Sequence, residues 1–306
     1  MTATAVTERS AELESLLRRD LDGEVAFDDY SRHLFSRDAS MYAITPMGVA
    51  FPRHSDDVAA AVSACAALDV PVVPRGAGTS LAGQTVGPGL VLDMSRHLHR
   101  IHEVDPEART ALVDVGVVQD QLNGAAAPYD LMFGPDTSTS NRATVGGMVG
   151  NNSAGSGSVR FGMTIDHVRH LDVVLSDGSR ARLEPVDEAE RARRAARDSL
   201  EGRLYAGLPA LLARHERSVR EDYPAFWRRA GGYRLDRLAD PSTPFDLATF
   251  VVGAEGTLVV ATKALVDLVP KPRRTVFAVG HFASVAAAIA ATGDALSCDQ
   301  IGRAHV

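Results

Sequence analysis

Two glycine-rich stretches constrain the fold more than any other feature of this chain. The first runs Pro74-Arg75-Gly76-Ala77-Gly78-Thr79-Ser80-Leu81-Ala82-Gly83-Gln84. The second runs from Gly134-Pro135-Asp136-Thr137-Ser138 through Thr144-Val145-Gly146-Gly147 to Asn151-Asn152-Ser153-Ala154-Gly155 and Phe161-Gly162. Glycine lets the backbone take positive φ and lets another group approach the main chain closely. Successive amide N–H groups in such turns form concavities for phosphate oxygens. Two such stretches in one chain predict an extended, phosphate-bearing cofactor touched along its length.

Spacing removes the commoner nucleotide and nucleophile motifs. A Rossmann turn needs G-x-G-x-x-G, and Gly76-Ala77-Gly78 lacks the third glycine at its place. A Walker loop needs a closing Gly-Lys-Ser/Thr, and no lysine is near. A hydrolase elbow needs G-x-S-x-G, which Gly155-Ser156-Gly157 does not supply.

Periodicity predicts an N-terminal helix over 8–21, with Leu13, Leu16, Leu17 and Leu21 at helical spacing. Short apolar runs predict strands at 49–52, 70–74 and 89–94, and a helix from Ser55 to Leu68. Strands follow at 100–105 and 110–115, then a helix over 118–126. The Asp177-Gly178 pair between 171–175 and 180–183 predicts a hairpin. Residues 185–240 turn helical and arginine-rich and read as an insertion. Strands are expected again at 248–252, 257–262 and 264–269. Pro270-Lys271-Pro272 reads as a linker, and 276–279 with 283–292 as a strand and helix opening a second domain.

The chain has 306 residues, 45% of them hydrophobic, enough for a large core and more than one lobe. A formal charge of −7 argues against a nucleic-acid surface. No apolar run is long enough to span a bilayer, and the amino end lacks signal-peptide regions. A cytoplasmic protein is expected, free or peripheral at the inner face of the membrane. Two cysteines, Cys65 and Cys298, exclude a disulfide framework and cannot by themselves ligate a four-cysteine iron–sulfur cluster.

His97, His99 and His102 lie close together, but no carboxylate–histidine pattern accompanies them. They read as a solvated strand end, and no metal is expected. Arg228 and Arg229 read as a basic solvated helix, with a substrate carboxylate as the sharper alternative. Arg191 to Arg194 read as a solvated helix face.

Three ordered motifs carry a resemblance. They are PRGAGTSLAGQ between two strands, PDTSTS…TVGGMVGNNSAG…RFG, and Val252-Gly253-Ala254-Glu255-Gly256-Thr257-Leu258. Over roughly residues 40–270 the chain resembles the FAD-binding domain of the vanillyl-alcohol oxidase/p-cresol methylhydroxylase (PCMH-type) superfamily. Within it the chain is similar to the branch that holds D-lactate dehydrogenases and the flavin-binding chain of glycolate oxidase. Asn151-Asn152-Ser153-Ala154-Gly155 and Gly231-Gly232-Tyr233-Arg234-Leu235-Asp236 look like large members that fuse the flavin domain to an iron–sulfur domain.

The resemblance implies an α+β fold: a two-lobed FAD-binding domain with a helical insertion and the start of a truncated cap domain. The implied divisions are a helical arm at 1–45, the FAD-binding domain at 46–270 with its insertion at about 185–240, and the cap's beginning at 271–300. It implies that Pro74, Arg75, Gly76, Ala77, Gly78, Thr79, Ser80, Gly83 and Gln84 wrap the FAD pyrophosphate. Pro135, Asp136, Thr137, Ser138, Thr144, Gly146 and Gly147 would line the same cleft. Asn151, Asn152, Ser153, Gly155 and Gly162 would lie along the ribityl chain and flavin, and Glu255, Gly256 and Thr257 would close the site. Family members with covalent flavin often carry a histidine in the first loop; this loop has none, so FAD is expected to be noncovalent.

The implied activity is oxidation of a D-2-hydroxy acid such as D-lactate by hydride transfer to flavin, with electrons passed to an iron–sulfur domain, a quinone or a cytochrome. The rivals are an oxidase of the same fold, using oxygen or acting on a sugar lactone, and a non-catalytic FAD-binding subunit. No catalytic residue is assigned, because in the family most of the substrate pocket comes from the cap and C-terminal part. The 306-residue chain is expected to bind FAD weakly and not to turn over. Gln300 to Val306 can be encoded by CAG ATC GGA AGA GCA CAC GTC, which matches a short-read sequencing adapter. Residues 301–306 are therefore expected to be a non-native tail.

Overall fold

The computed structural model describes residues 3–274, 276 and 278–297. The expected tail at 301–306 lies outside the described residues.

The first lobe is a small sheet covered by helices. Helix α1 (Ala3–Asp20) buries Leu13 and Leu17, one turn apart, against α3 (Ser55–Ala67), which buries Val58, Ala61, Val62 and Cys65. Strand β1 (Glu24–Ala26) and helix α2 (Asp29–Leu34) lie between them in sequence. Asp28 caps α2 by accepting from Ser31 N. Strands β2 (Gly48–Phe51), β3 (Val72–Arg75) and β4 (Leu90–Asp93) complete a sheet of order β1-β2-β4-β3. The β2, β4 and β3 pairings are parallel, and β1 is antiparallel. Every residue of β2 and β4 is buried, as continuous apolar runs in a parallel sheet require.

Asp57 fixes the start of α3. Its carboxylate accepts from Asp22 N at 2.9 Å and Arg53 N at 2.8 Å, with His54 and Asp22 beside it.

The second lobe starts with β5 (Ile101–Asp105), β6 (Thr110–Asp114), α4 (Gln119–Ala126) and β7 (Leu131–Phe133). Helices α5 (Val145–Asn151) and α6 (Ser158–Phe161) carry the second glycine stretch. The hairpin is β8 (Val168–Val174) and β9 (Arg180–Leu183). Next come β10 (Pro185–Val186), α7 (Glu188–Ala195), α8 (Leu200–Arg214), α9 (Glu216–Glu221) and α10 (Leu235–Leu238). Then follow β11 (Phe245–Asp246), α11 (Leu247–Val251), β12 (Val260–Pro270) and α12 (Val285–Leu296).

Strand β12 is the hub of this lobe. It pairs antiparallel with β6, β7 and β8, giving the order β5-β6-β12-β8-β9 with β7 off the main path. Its burial alternates strictly, with Val260, Thr262, Ala264, Val266 and Leu268 inside. Helix α3 touches both β8 and β12, so it joins the two lobes.

Three sequence expectations change. The run 248–252 is not a strand: 248–251 lie in helix α11, and Val252 is its C-terminal cap. Asp246 accepts from Ala248 N at 2.8 Å and from Thr249 Oγ1 at 2.6 Å, a cap that starts α11. Its buried residues Leu247, Ala248 and Val251 then fall on one helical face. The two strands expected at 257–262 and 264–269 are one strand, with an irregular register against β8 between Ala261 and Lys263. Pro270 ends that strand rather than opening a linker, and Lys271 N still donates to Asp130 O at 2.7 Å. The expected strand at 276–279 falls partly outside the described residues.

Residues 222–234 contain neither helix nor strand, so Arg228 and Arg229 are not on a helix. Among the described residues, no helix is long and apolar enough to cross a membrane.

Candidate functional site

Three turns meet where the lobes join. The first follows β3, the second leads into α5, and the third, 252–259, connects α11 to β12. Around them is an open cleft. Its walls include Pro74, Arg75, Gly76, Ser80 and Gln84 from the first turn and Thr144, Gly146, Gly147 and Asn151 from the second. Glu255 and Gly256 come from the third.

Glycine makes the meeting possible at two positions. A Cβ on Gly76 would overlap the hydroxyl oxygen of Thr144, so only a bare backbone can lie on that residue. Gly256 has φ +76°, and a Cβ there would lie 2.6 Å from Pro74 Cγ. The first turn is therefore packed against both of the others.

The turns differ in the hydrogen-bond donors they offer. The first amides of α5 are already used: Val145 N donates to Val117 O (2.8 Å), Gly146 N to Val115 O (2.7 Å) and Gly147 N to Thr144 Oγ1 (3.2 Å). By contrast, among the described residues the amides of Gly76 through Leu81 donate to no protein acceptor. Buried or half-buried backbone donors need partners from somewhere. Gly76, Gly78, Thr79 and Ser80 are half-buried, and gathered in one turn their amides suit the oxygens of a phosphate-bearing ligand.

The floor is apolar: Met94, Val115, Val149, Val251, Ala254, Val259 and Ala261 line it beside Thr85 and Gly150. Sequence reasoning missed these residues, because each looks like ordinary core. Of the lining residues, Arg75 and Glu255 carry charge. The Arg75 guanidinium donates to backbone carbonyls of Phe35, Arg37 and Thr85. Burial pushes it below the usual arginine value, while Asp93 and Asp38 pull the other way. Glu255 accepts from Gln84 Nε2 at 3.2 Å, which ties the first turn to the third.

The remaining candidates are not on the cleft wall, and most have structural partners. Gly78 and Gly83 turn the first loop with φ +67° and +83°, and Ala77 and Thr79 lie between its wall residues. Gln119 Nε2 donates to Pro135 O, and Thr137 Oγ1 donates to Gln119 Oε1 at 2.8 Å. Ser138 follows in the same turn. Asp136 accepts from Gly157 N (2.6 Å) and Ser156 Oγ (2.9 Å), and a Cβ on Gly155 would overlap its backbone oxygen. Asn152 is fully buried with φ +46°, accepting from Ile165 N and donating to Arg229 O. Ser153 O accepts from Thr164 N and Oγ1. Gly162 turns beside Asp166 with φ +81°. Thr257 Oγ1 donates to Ala254 O at 2.6 Å and meets Tyr233 Oη at 2.9 Å.

The other singled-out groups are bound up elsewhere. His97 pairs with Glu24 and His102 with Asp114, each at 2.7 Å. Arg229 pairs with Asp236 at 2.9 Å. Arg194 is not solvated: it is buried and holds Glu184, Glu190 and the Tyr205 hydroxyl.

Residues 46–184 match a family model described as an FAD binding domain. The chain is 38% identical over 265 residues to a D-2-hydroxyglutarate dehydrogenase of Pantoea ananatis, covering 85% of this chain and 26% of that protein. It is 32% identical over 257 residues to the glycolate oxidase subunit GlcD of Bacillus subtilis, covering 82% of this chain and 44% of that one. It is 29% identical over 301 residues to the mitochondrial D-lactate dehydrogenase (cytochrome) of Arabidopsis thaliana, covering 96% and 44%. The chain thus spans between a quarter and a half of the length of these relatives.

Proposed function

Since residues 46–184 form an FAD-binding domain of the PCMH type, we propose that this chain is the flavin-holding part of a dehydrogenase for D-2-hydroxy acids. D-2-hydroxyglutarate is the first substrate to test, ahead of D-lactate and glycolate, on the strength of the 38% identity to a hydroxyglutarate dehydrogenase. The observation that carries the reading is the convergence of three turns on one cleft, whose first turn, 76–81, has amides that donate to no protein acceptor and brings Gly76 and Ser80 to the wall.

Bound FAD supplies the acceptor for the two electrons that leave when a 2-hydroxy acid becomes a 2-oxo acid. The chain's own residues do the holding. The amides of 76–81, with the Thr79 and Ser80 hydroxyls, take the diphosphate oxygens. The Gly76–Thr144 and Gly256–Pro74 contacts fix the turns around them. Met94, Val115 and Ala261 give the cofactor an apolar bed that excludes water. FAD is held without a covalent bond. The electrons would pass to an iron–sulfur domain, a quinone or a cytochrome, in a cytoplasmic protein or one peripheral to the membrane.

The test has two stages. FAD is titrated into the 306-residue chain and followed by flavin fluorescence, with one noncovalent FAD per chain expected. The complete product of the same gene is then assayed with an artificial dye and D- and L-forms of each acid. D-selective dye reduction is expected. Absence of flavin binding in both proteins refutes the reading, and rapid reoxidation of the reduced enzyme by oxygen replaces the dehydrogenase with an oxidase.

A further inference from the structure

Residues 35–45 precede the matched segment 46–184, yet they fold onto the first glycine loop. Arg37 and Ala43 form an isolated antiparallel bridge, and Ile44 N donates to Ser36 O at 2.9 Å, so this stretch closes on itself. Its contacts with the loop are specific. Ala39 N donates to Gly78 O at 3.0 Å, and Thr85 Oγ1 donates to Asp38 at 3.0 Å. The Tyr42 ring lies against Gly83, where a Cβ would come 2.7 Å from Tyr42 Cδ2.

Arg75 joins the two segments. Nη1 reaches Phe35 O at 3.2 Å and Thr85 O at 3.4 Å, and Nη2 reaches Arg37 O at 2.7 Å. The guanidinium also lies over the Phe35 ring, 5.2 Å from its centroid. Gly78 passes directly above it: a Cβ there would lie 2.6 Å from Arg75 Nη2. The loop is thus wrapped around a cation whose Nη donors are taken up by carbonyls of the N-terminal segment and of Thr85.

We propose that residues 35–43 are a strap that holds the first glycine loop in its diphosphate-binding shape, with Arg75 as the positioning residue that fastens strap to loop. This rests on the FAD reading of the cleft. The physical reason is pre-organisation. The amides of 76–81 make no hydrogen bonds within the protein, so nothing inside that run holds its shape. A loop that must be ordered by its ligand loses affinity to the entropy of ordering. The strap does that ordering during folding. A planar guanidinium reaches three carbonyls at once, and a lysine ammonium does not reproduce its fork.

The experiment titrates FAD into the 306-residue chain and into Arg75→Lys, Arg75→Met and Asp38→Ala, with apo melting curves and limited proteolysis mapped across 76–85. The wild-type chain binds FAD. Both Arg75 variants raise Kd by about tenfold or more, which is about 1.4 kcal/mol. Asp38→Ala raises it by about threefold, and all three open the loop to cleavage near Leu81. A fall in melting temperature with Kd and cleavage unchanged means a merely structural role and overturns the proposal. Where the Arg75 variants do not fold, Asp38→Ala decides by the same two readouts. If the wild-type 306-residue chain does not bind FAD, the same titration is run on the complete product, and only failure there too refutes the flavin reading; the strap is then judged by cleavage alone, where unchanged cutting at 76–85 overturns it.

Discussion

Gly76→Ala is the sharpest probe of whether the two glycine motifs touch. Gly76 does not occupy the left-handed region, so glycine is needed there for room and not for φ. A Cβ would overlap Thr144 Oγ1 and lie 3.4 Å from Thr144 Cβ. Thr144 is 2% exposed, so its side chain has little space to retreat. Its hydroxyl also caps α5 by accepting from Gly147 N at 3.2 Å. Rotating the hydroxyl away sacrifices that cap, at about 1 kcal/mol. Pushing the turns apart is overpacking, at about 1–3 kcal/mol. The substitution should therefore destabilise by about 2–3 kcal/mol. Thr144→Ala alone removes the cap and costs about 1 kcal/mol, but it also removes the obstruction. In that background Gly76→Ala should cost about 0.5 kcal/mol, giving a coupling of roughly 1.5–2.5 kcal/mol. Urea unfolding of the four proteins measures the cycle, with equal slopes as the check that only stability has changed. Additive costs would refute the reasoning, because they would mean that Gly76 and Thr144 do not touch.

Three further outcomes follow from the same geometry. Gly256→Ala puts a side chain at φ +76° and its Cβ 2.6 Å from Pro74 Cγ, so stability falls by about 2–4 kcal/mol and FAD affinity falls with it, read by melting and titration. Cys65 is fully buried, and burial pushes its thiol up to about 12; peptide-resolved alkylation at neutral pH should leave it unmodified until the chain unfolds. Burial opposes the charge of Asp236, but its pairing with Arg234 and Arg229 wins and holds its carboxyl below the usual range. That depressed value stabilises the fold above a pH of about 4 and is lost as pH falls through the folded value. Asp236→Asn should therefore cost about 2 kcal/mol at neutral pH, with the gap from wild type closing in acid unfolding curves.

The glycine spacing made the turns legible, and short apolar runs between turn residues made most strands legible. What failed was local competition. Residues 247–252 are apolar enough for strand or helix, and Asp246 decides through a cap that periodicity does not register. Lys263 looked like a break in a strand, yet it occupies the half-buried face of one continuous β12. Arg194 sits in an arginine run but buries itself among three glutamates. The apolar floor of the cleft was invisible for a different reason. Val115, Val149 and Ala261 are chemically the same as the core residues beside them, and only the fold sets which ones border open space.

The glycines themselves carry two meanings that the sequence alone does not separate. Gly76, Gly155 and Gly256 are glycine because protein lies where a side chain would go: Thr144, Asp136 and Pro74 respectively. Around Gly150 the nearest atom to a Cβ is Glu255 Cα at 3.8 Å, so that position leaves room. A ligand-contact argument therefore applies to Gly150, whereas the first three report how tightly the turns close on one another. This division changes what substitutions mean. Enlarging Gly150 should weaken FAD binding while leaving the apo fold nearly intact, because the added methyl meets no protein atom closer than an ordinary contact. Enlarging Gly76 or Gly256 damages the fold first and the cofactor site as a consequence. A Gly150→Ala chain whose melting falls as far as that of Gly76→Ala would show that this position too is filled by protein, and that the cleft is narrower than its walls suggest.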